Sequence, residues 1–208
     1  MEFLEYELRS DMLCLGERTK KGTFKPTITT IPYSQITGAI KAYLGKDRIW
    51  DKENEGVHAV GYLCEYKKAY LTYSPRDRSI NSSKLPIVIE YLIDVVGKVY
   101  VLKTEDTKNM SSSNDPKIKM GALKSKGFGN CVLKKINGGK TYEFLSGLLN
   151  TRIPIEMYNI FGIQPIKERY GYLFKPTSDA GGVYVKSLFE GSKIKGPKFL
   201  LTTNENGR

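Results

Sequence analysis

The residues best suited to chemistry lie in one run, Gly121-Ala-Leu-Lys-Ser-Lys-Gly-Phe-Gly129. Gly121, Gly127 and Gly129 let the backbone take positive φ and approach a ligand closely. Successive amides in such a loop make an anion-binding concavity. Lys124 and Lys126, with Lys119 just upstream, add full positive charge, and Ser125 adds a hydroxyl donor. Together these groups suit phosphate oxygens. Phe128 either stacks on a nucleobase or plugs the core beneath the loop. The run is neither the GxxxxGK[ST] of a P-loop nor a GxGxxG opening a helix after a strand. The plain alternative is a tight turn with incidental lysines.

The bulk composition favours the first reading. Of 208 residues, 33 are Lys or Arg and 22 are Asp or Glu, a net charge of +11 with a pI near 9.4. That surplus favours a polyanionic partner, because phosphate contact releases counterions. At 40% hydrophobic and 26% charged, the chain is an ordinary globular protein large enough to bury a core. Cys14, Cys64 and Cys131 are odd in number and widely spaced, with no CxxC pair. They are expected to be buried free thiols in a reducing cytoplasm, not a zinc site or a disulfide framework. No basic leader precedes an apolar run, and no stretch reaches membrane-spanning length. The expectation is a cytoplasmic protein with no membrane partner, no metal or other cofactor and no small-molecule substrate.

Residues for catalysis are scarce. His58, the single histidine, sits in the apolar run Val57-His-Ala-Val-Gly-Tyr62 and reads as structural. Tyr62, Tyr66, Tyr70 and Tyr73 offer stacking faces for unstacked bases, but half-buried strands favour Tyr anyway. Lys134-Lys135 and the lysines of 193–198 read as solvated faces.

The elements that must position the loop follow from periodicity. Leu4, Tyr6 and Leu8 alternate onto one face of a first strand, Phe3 to Leu15. After a basic loop, Arg18 to Lys25, Ser34 is the expected N-cap of a helix over Gln35 to Leu44. Ile36, Ala39, Ile40 and Tyr43 form its apolar stripe and Gly45 closes it. Asp47 to Glu55 is a charged loop. Val57 to Cys64 and Ala69 to Tyr73 read as two strands around a polar turn. Pro86 opens an apolar run ending at Val96, which Gly97 separates from a strand over Lys98 to Lys103. Thr104 to Lys117 reads as a polar, mobile insertion. Asn130 to Ile136 is another strand, Gly138-Gly139 a turn, and Tyr142 to Leu149 a short helix. Residues 151–208 are expected to form a small β-rich appendage to a domain spanning 1–150. Within it Gly171 to Pro176 and Gly181 to Tyr184 make a hairpin suited to docking a partner subunit, and Thr202 to Arg208 is a frayed tail.

Gly121-x-x-x-Ser125-x-Gly127-Phe128-Gly129 resembles the glycine-rich loop of the RAMP (repeat-associated mysterious protein) superfamily of CRISPR-associated proteins. Ile31-Pro-Tyr-Ser-Gln-Ile-Thr-Gly-Ala-Ile-Lys41 is similar to the motif that starts the first helix in that group, and its continuation through Leu44-Gly45 is most like the five-prime-handle-binding subunits. Tyr73-Ser-Pro-Arg-Asp77 resembles a proline-aspartate turn of the same proteins. The resemblance implies an α+β chain with a ferredoxin-like (RNA-recognition-motif-like) domain over 1–150. It implies a non-catalytic subunit that grips the repeat-derived 5′ handle of the guide RNA and caps an effector complex beside other CRISPR subunits. By position, Gly121, Lys124, Ser125, Lys126, Gly127, Phe128, Gly129 and Lys119 carry RNA contact. Ser34 and Gln35 lie near them, with Arg76 and Arg78 in a basic turn. A protruding thumb would come from Arg76 to Lys84 or from Thr104 to Lys117. Two other roles occur in the superfamily: metal-independent cutting of repeat RNA, and polymerising along the guide as a backbone subunit. Target cutting by such subunits relies on an acidic residue in an early loop; Asp11 and Glu17 are the only candidates for it before the first helix, and both read as lying in or at the end of the first strand. No catalytic residue is expected.

Overall fold

The computed structural model describes residues 1–16, 22–45, 56–77, 79, 82–83, 85–112, 115–176 and 181–202. Strand β1 (Phe3–Leu13) lies inside the main sheet, between two long antiparallel neighbours. Leu4, Tyr6 and Leu8 are wholly buried on one of its faces, as the alternation predicts. A two-residue strand, β2 (Phe24–Lys25), pairs in parallel with a later strand, and helix α1 (Tyr33–Tyr43) follows. Ile36, Ala39 and Ile40 bury their apolar stripe against the sheet. Next come β3 (Ala59–Tyr73), a small ladder of β4 (Arg76–Asp77) with β5 (Ser82–Ser83), and β6 (Ile87–Leu102). A 3₁₀ turn over Glu105–Thr107 leads into α2 (Lys108–Ser112), then β7 (Lys117–Lys119) and β8 (Asn130–Lys140). The main sheet runs β2-β6-β1-β8-β7, with β3 also on β6. Its long strands therefore lie in the order β3-β6-β1-β8, each antiparallel to its neighbour.

The rest of the chain is mostly strand. It holds β9 (Phe144–Leu148), β10 (Ile153–Pro154), helix α3 (Tyr158–Phe161), β11 (Gln164–Lys167), β12 (Tyr170–Pro176), β13 (Gly182–Leu188) and β14 (Lys193–Pro197). These build two three-stranded sheets, β10-β13-β12 and β11-β14-β9. The expected hairpin is the β12–β13 pair, with Phe174 opposite Tyr184. The chain is thus α+β, with strands predominating.

Two apolar layers sandwich the main sheet. On one face Leu4, Tyr6, Leu8, Val99 and Val101 pack with α1, Met110 and Ile118. On the other face Phe3, Val60 and Tyr100 pack against Phe161, Ile194 and Phe199 from beyond β9. The Phe199 ring stacks on Tyr100 at 4.4 Å between centroids and meets Phe3 edge-on at 4.8 Å. Each large side chain buried there contributes about 1.5–3 kcal/mol. This second layer draws on both sides of residue 150, since Tyr142 packs into it and β9 pairs with β14.

Several elements differ from the sequence expectation, each for a physical reason. Pro32, not Ser34, caps α1; its extended ψ of 141° starts the helix two residues early and no side chain caps it. The two strands expected from Val57 to Tyr73 are one strand, because β6 supplies backbone partners through the polar stretch, with register shifts only around Glu65. Its side chains face solvent there, so polarity does not interrupt the ladder. Gly97 does not separate strands either. It lies within β6, where a Cβ would come 2.6 Å from the Tyr62 carbonyl oxygen of β3, so the glycine permits close strand approach. Thr104 begins a turn instead of a loose insertion: the Thr104 amide donates to Thr107 Oγ1 at 2.8 Å, and helix α2 follows. The Gly138-Gly139 pair stays within β8, and Tyr142 to Leu149 holds strand β9 in place of a helix because β14 pairs with it. Cys14 and Cys131 are buried free thiols as expected, whereas Cys64, on β3, is exposed. The expected loop at 47–55, residues 18–21 of the basic loop and the tail beyond Thr202 lie outside the described residues.

Candidate nucleic-acid interface

The glycine-rich loop joins β7 to β8 and hangs from the end of β1. Ala122 donates its amide to the Cys14 carbonyl at 2.7 Å, and Gly129 donates to the Met12 carbonyl at 2.8 Å. Met120 closes the loop's neck by donating to the Gly129 carbonyl at 2.9 Å. These close approaches require glycine. Gly121 (φ +85°) and Gly129 (φ +75°) take left-handed conformations, and a Cβ on either would collide with a carbonyl oxygen, that of Cys14 or of Met120. At the tip, Leu123 (φ +57°) opens a 3₁₀ turn over Lys124–Lys126, and the Gly127 amide returns to the Lys124 carbonyl at 3.3 Å. Asn130 Nδ2 braces the exit by donating to the Gly127 carbonyl at 3.2 Å.

This bonding commits four of the loop's amides to the chain itself. The amides of Ala122, Lys126, Gly127 and Gly129 are all engaged inside the chain, so they hold the loop in shape. The loop also turns charged and hydroxyl side chains outward. Lys124, Ser125 and Lys126 are exposed at the tip, and Lys119 is exposed on β7 opposite Asn130. Among the described residues none of these three lysines is in an ion pair. Lys126 Nζ sits 4.6 Å from the centroid of the Tyr73 ring, at the end of β3. Tyr73, which the sequence offered only as one of four stacking tyrosines, thus joins the site through tertiary packing.

Phe128 resolves in favour of the core. It is 5% exposed, packs with Cys14 and Ile89, and meets the Tyr91 ring edge-on at 5.0 Å. It anchors the loop and is not available to stack on a base, which corrects its assignment as a contact residue. Ser34 and Gln35 are also not brought to the loop. The first turns of α1 are tied elsewhere: the Tyr33 amide donates to the Arg152 carbonyl at 2.9 Å, and Thr37 Oγ1 donates to the Ala59 carbonyl at 3.0 Å. Ala59 pairs with Val101, which pairs with Leu4, eight residues back along β1 from Met12. Gln35 Oε1 is buried, with no hydrogen-bond partner among the described residues. Arg76 forms part of the β4–β5 ladder, in the first of the two segments expected to protrude, but its side chain and all of Arg78 lie outside the described residues.

The connection leading to α1 is locked beside the loop by Glu90. Its Oε2 accepts from the Thr27 amide at 3.1 Å, and its Oε1 accepts from Tyr70 Oη at 3.3 Å and pairs with Lys68 Nζ at 3.2 Å. Burial works to raise its pKa, but the Thr27 amide and Lys68 outweigh it, so the carboxyl is held below its ordinary value. Thr27 Oγ1 in turn accepts from the Leu15 amide at 2.9 Å. A lone glutamate in an apolar strand was the available signal, and sequence reasoning passed it over.

His58 is 9% exposed, and its Nδ1 lies 2.7 Å from the Tyr33 hydroxyl. Burial, the main cause, pushes the Tyr33 phenol well above its usual range. Among the described residues no group of three or more His, Cys, Asp or Glu side chains is arranged to hold a metal, and no helix is long and apolar enough to cross a membrane.

Comparison with known proteins gives matches in structure alone. No protein-family profile matches the chain, and no curated protein sequence does. A chain of a Type III-B Cmr-beta complex bound to cognate target RNA and AMPPnP superposes with a TM-score of 0.56 at 12% identity, covering 94% of this chain and 86% of that one. A chain of the same complex type bound to cognate target RNA gives 0.55 at 12% identity over the same shares. A chain of a CRISPR RNA-guided surveillance complex gives 0.52 at 13% identity, covering 98% of this chain and 95% of that one. This chain therefore shares its fold with those chains of CRISPR complexes.

Proposed function

We propose that the chain is a non-catalytic RNA-binding subunit of a CRISPR effector ribonucleoprotein, which grips the repeat-derived 5′ handle of the guide RNA and caps the complex. Four long strands ordered β3-β6-β1-β8, with α1 and the Glu105–Ser112 helical turn as crossovers, fit the ferredoxin-like pattern of such subunits. The observation that carries the reading is the loop itself: Lys124, Ser125 and Lys126 are exposed together on a tip that β1 holds fixed. A preset cationic tip binds phosphate without first ordering a loop. The net charge of +11 supplies the long-range attraction.

Absence of catalysis is part of the proposal. His58, the one imidazole, is buried against Tyr33, where a 2′-hydroxyl has no access. The test is to isolate tagged protein from its host at gentle salt, digest exposed RNA and sequence the remainder. A uniform population sharing one repeat-derived 5′ segment, with one copy of this chain per complex, is the expected outcome. Heterogeneous RNA, or none, would sink the reading. Many copies per guide would make it a backbone subunit, and cleavage of repeat RNA by the purified chain in EDTA would make it a processing nuclease.

A further inference from the structure

The β11-β14-β9 sheet turns one face inward and leaves the other open. Ile194, the second residue of β14, is wholly buried in the second core, so its neighbours Lys193 and Lys195 face outward. The ladder fixes what stands beside them. Lys193 lies between Leu148 of β9 and Lys167 of β11, and Lys195 lies between Ser146 and Gln164. One further step along, Phe144 stands opposite Pro197 on the same face.

Two features of this face are costly for a solvated surface. Lys167 and Lys193 are directly opposed across a ladder, an arrangement of like charges that destabilises a sheet. Lys195 is two residues along the same strand, and among the described residues none of the three is in an ion pair. Beside this cationic row, Phe144 is 48% exposed and Leu148 47% exposed. Phe144 is also held in place: a Cβ on Gly162 would come 2.7 Å from its ring, so the aromatic side chain rests against that glycine while its remainder faces solvent.

We propose that this face is a second RNA-binding surface, taking single-stranded RNA with phosphates along Lys167, Lys193 and Lys195 and a base against Phe144. Cations in a row beside a fixed, half-exposed ring on an antiparallel sheet are what sequence-tolerant single-strand binding uses. An acidic protein would satisfy the lysines but gains nothing particular from a buttressed ring. The inner side of this sheet packs beneath the Phe3 end of β1, while the glycine-rich loop hangs from Met12 and Cys14 at the other end. The two surfaces would engage different stretches of one RNA. The inference extends the RNA-binding reading, but it does not depend on the loop.

The test measures affinity of the full chain for a fluorescent single-stranded RNA across a salt series. Wild type is compared with Lys167→Ala/Lys193→Ala/Lys195→Ala, with Phe144→Ala and with Lys124→Ala/Lys126→Ala. Thermal melting checks that each variant folds, and the three lysines replaced by arginine serve as a conservative control. The triple alanine variant should lower the slope of log affinity against log salt by about 2, at about 0.7 for each phosphate no longer neutralised. The arginine form should retain the slope, and Phe144→Ala should weaken binding about tenfold with little change in slope. If the triple variant folds and keeps the wild-type slope, or if the wild type binds no RNA, the proposal is overturned. A loop variant that binds normally while the triple variant fails would overturn the handle-grip reading alone. Loss of an acidic protein from the isolated complex with RNA affinity unchanged would assign the face to that protein instead.

Discussion

Gly129 donates its amide to the carbonyl of Met12 across 2.8 Å, so the glycine-rich loop is fastened to the last residues of β1. The loop's shape therefore depends on the sheet, and its glycines have different jobs. At Gly129 a methyl group would collide with the Met120 carbonyl, while at Gly127, also left-handed at φ +89°, nothing lies within 4 Å. Gly127→Ala should cost about 1 kcal/mol, the penalty of a left-handed residue alone. Gly129→Ala should cost about 3 kcal/mol or more, because backbone must also move. Urea unfolding of the two variants checks the ranking. Equal losses would mean the Met120 carbonyl does not constrain the neck.

At the tip the expected losses are of binding and not of stability. Lys124 and Lys126 are exposed, and the contact of Lys126 with Tyr73 is worth under about 1 kcal/mol at such a site. Lys124→Ala/Lys126→Ala should leave the melting temperature within a few degrees of wild type. It should lower the salt slope of RNA binding by about 1.4, two phosphates at about 0.7 each. Fluorescence anisotropy across a salt series reads this directly, and an unchanged slope would reduce the loop to a turn.

Glu90 gives the fold an acid-sensitive joint. Its carboxyl is held below the ordinary value despite burial, by the Thr27 amide and Lys68. A depressed folded pKa means the stabilisation is complete above the unfolded value, about 4.3, and is lost as pH falls through the folded value. Wild type should lose stability progressively below about pH 5. Glu90→Gln should be less stable at pH 7 and should show a flatter profile on acidification. Urea midpoints at pH 7, 5 and 3.5 test both points; a variant profile parallel to wild type would remove Glu90 from the account.

The strands of the main sheet were legible where alternation was strong, as at Leu4, Tyr6 and Leu8, because a half-buried strand writes its burial into every second residue. The helix over Tyr33–Tyr43 was legible for the same reason at another period. What failed was punctuation. Gly97 and the polar stretch around Glu65 look like breaks, yet both lie inside paired strands, because the pairing partner decides continuity and a single sequence does not name it. Tyr142 to Leu149 shows the same limit: β9 is a strand only because β14, almost fifty residues later, pairs with it. Within the site, glycine and lysine spacing located the loop. The inward turn of Phe128 and the arrival of Tyr73 beneath Lys126 depend on tertiary packing that no local pattern encodes.

His58 separates a structural from a chemical role most sharply. Its imidazole is 9% exposed and its Nδ1 lies 2.7 Å from the Tyr33 hydroxyl, joining the residue just before β3 to the start of α1. Removing it deletes a buried hydrogen bond and leaves a cavity, so His58→Ala should destabilise the chain by about 2–4 kcal/mol. Repeat RNA incubated with either protein in EDTA should stay intact, and RNA affinity measured well below the melting temperature should be unchanged. A general base would behave in the opposite way, with stability nearly preserved and cleavage abolished. Denaturant titration and a gel of end-labelled repeat RNA, run on the same two preparations, distinguish the roles. Cleavage by wild type that His58→Ala eliminates would turn the core histidine into a catalytic one and overturn the non-catalytic reading.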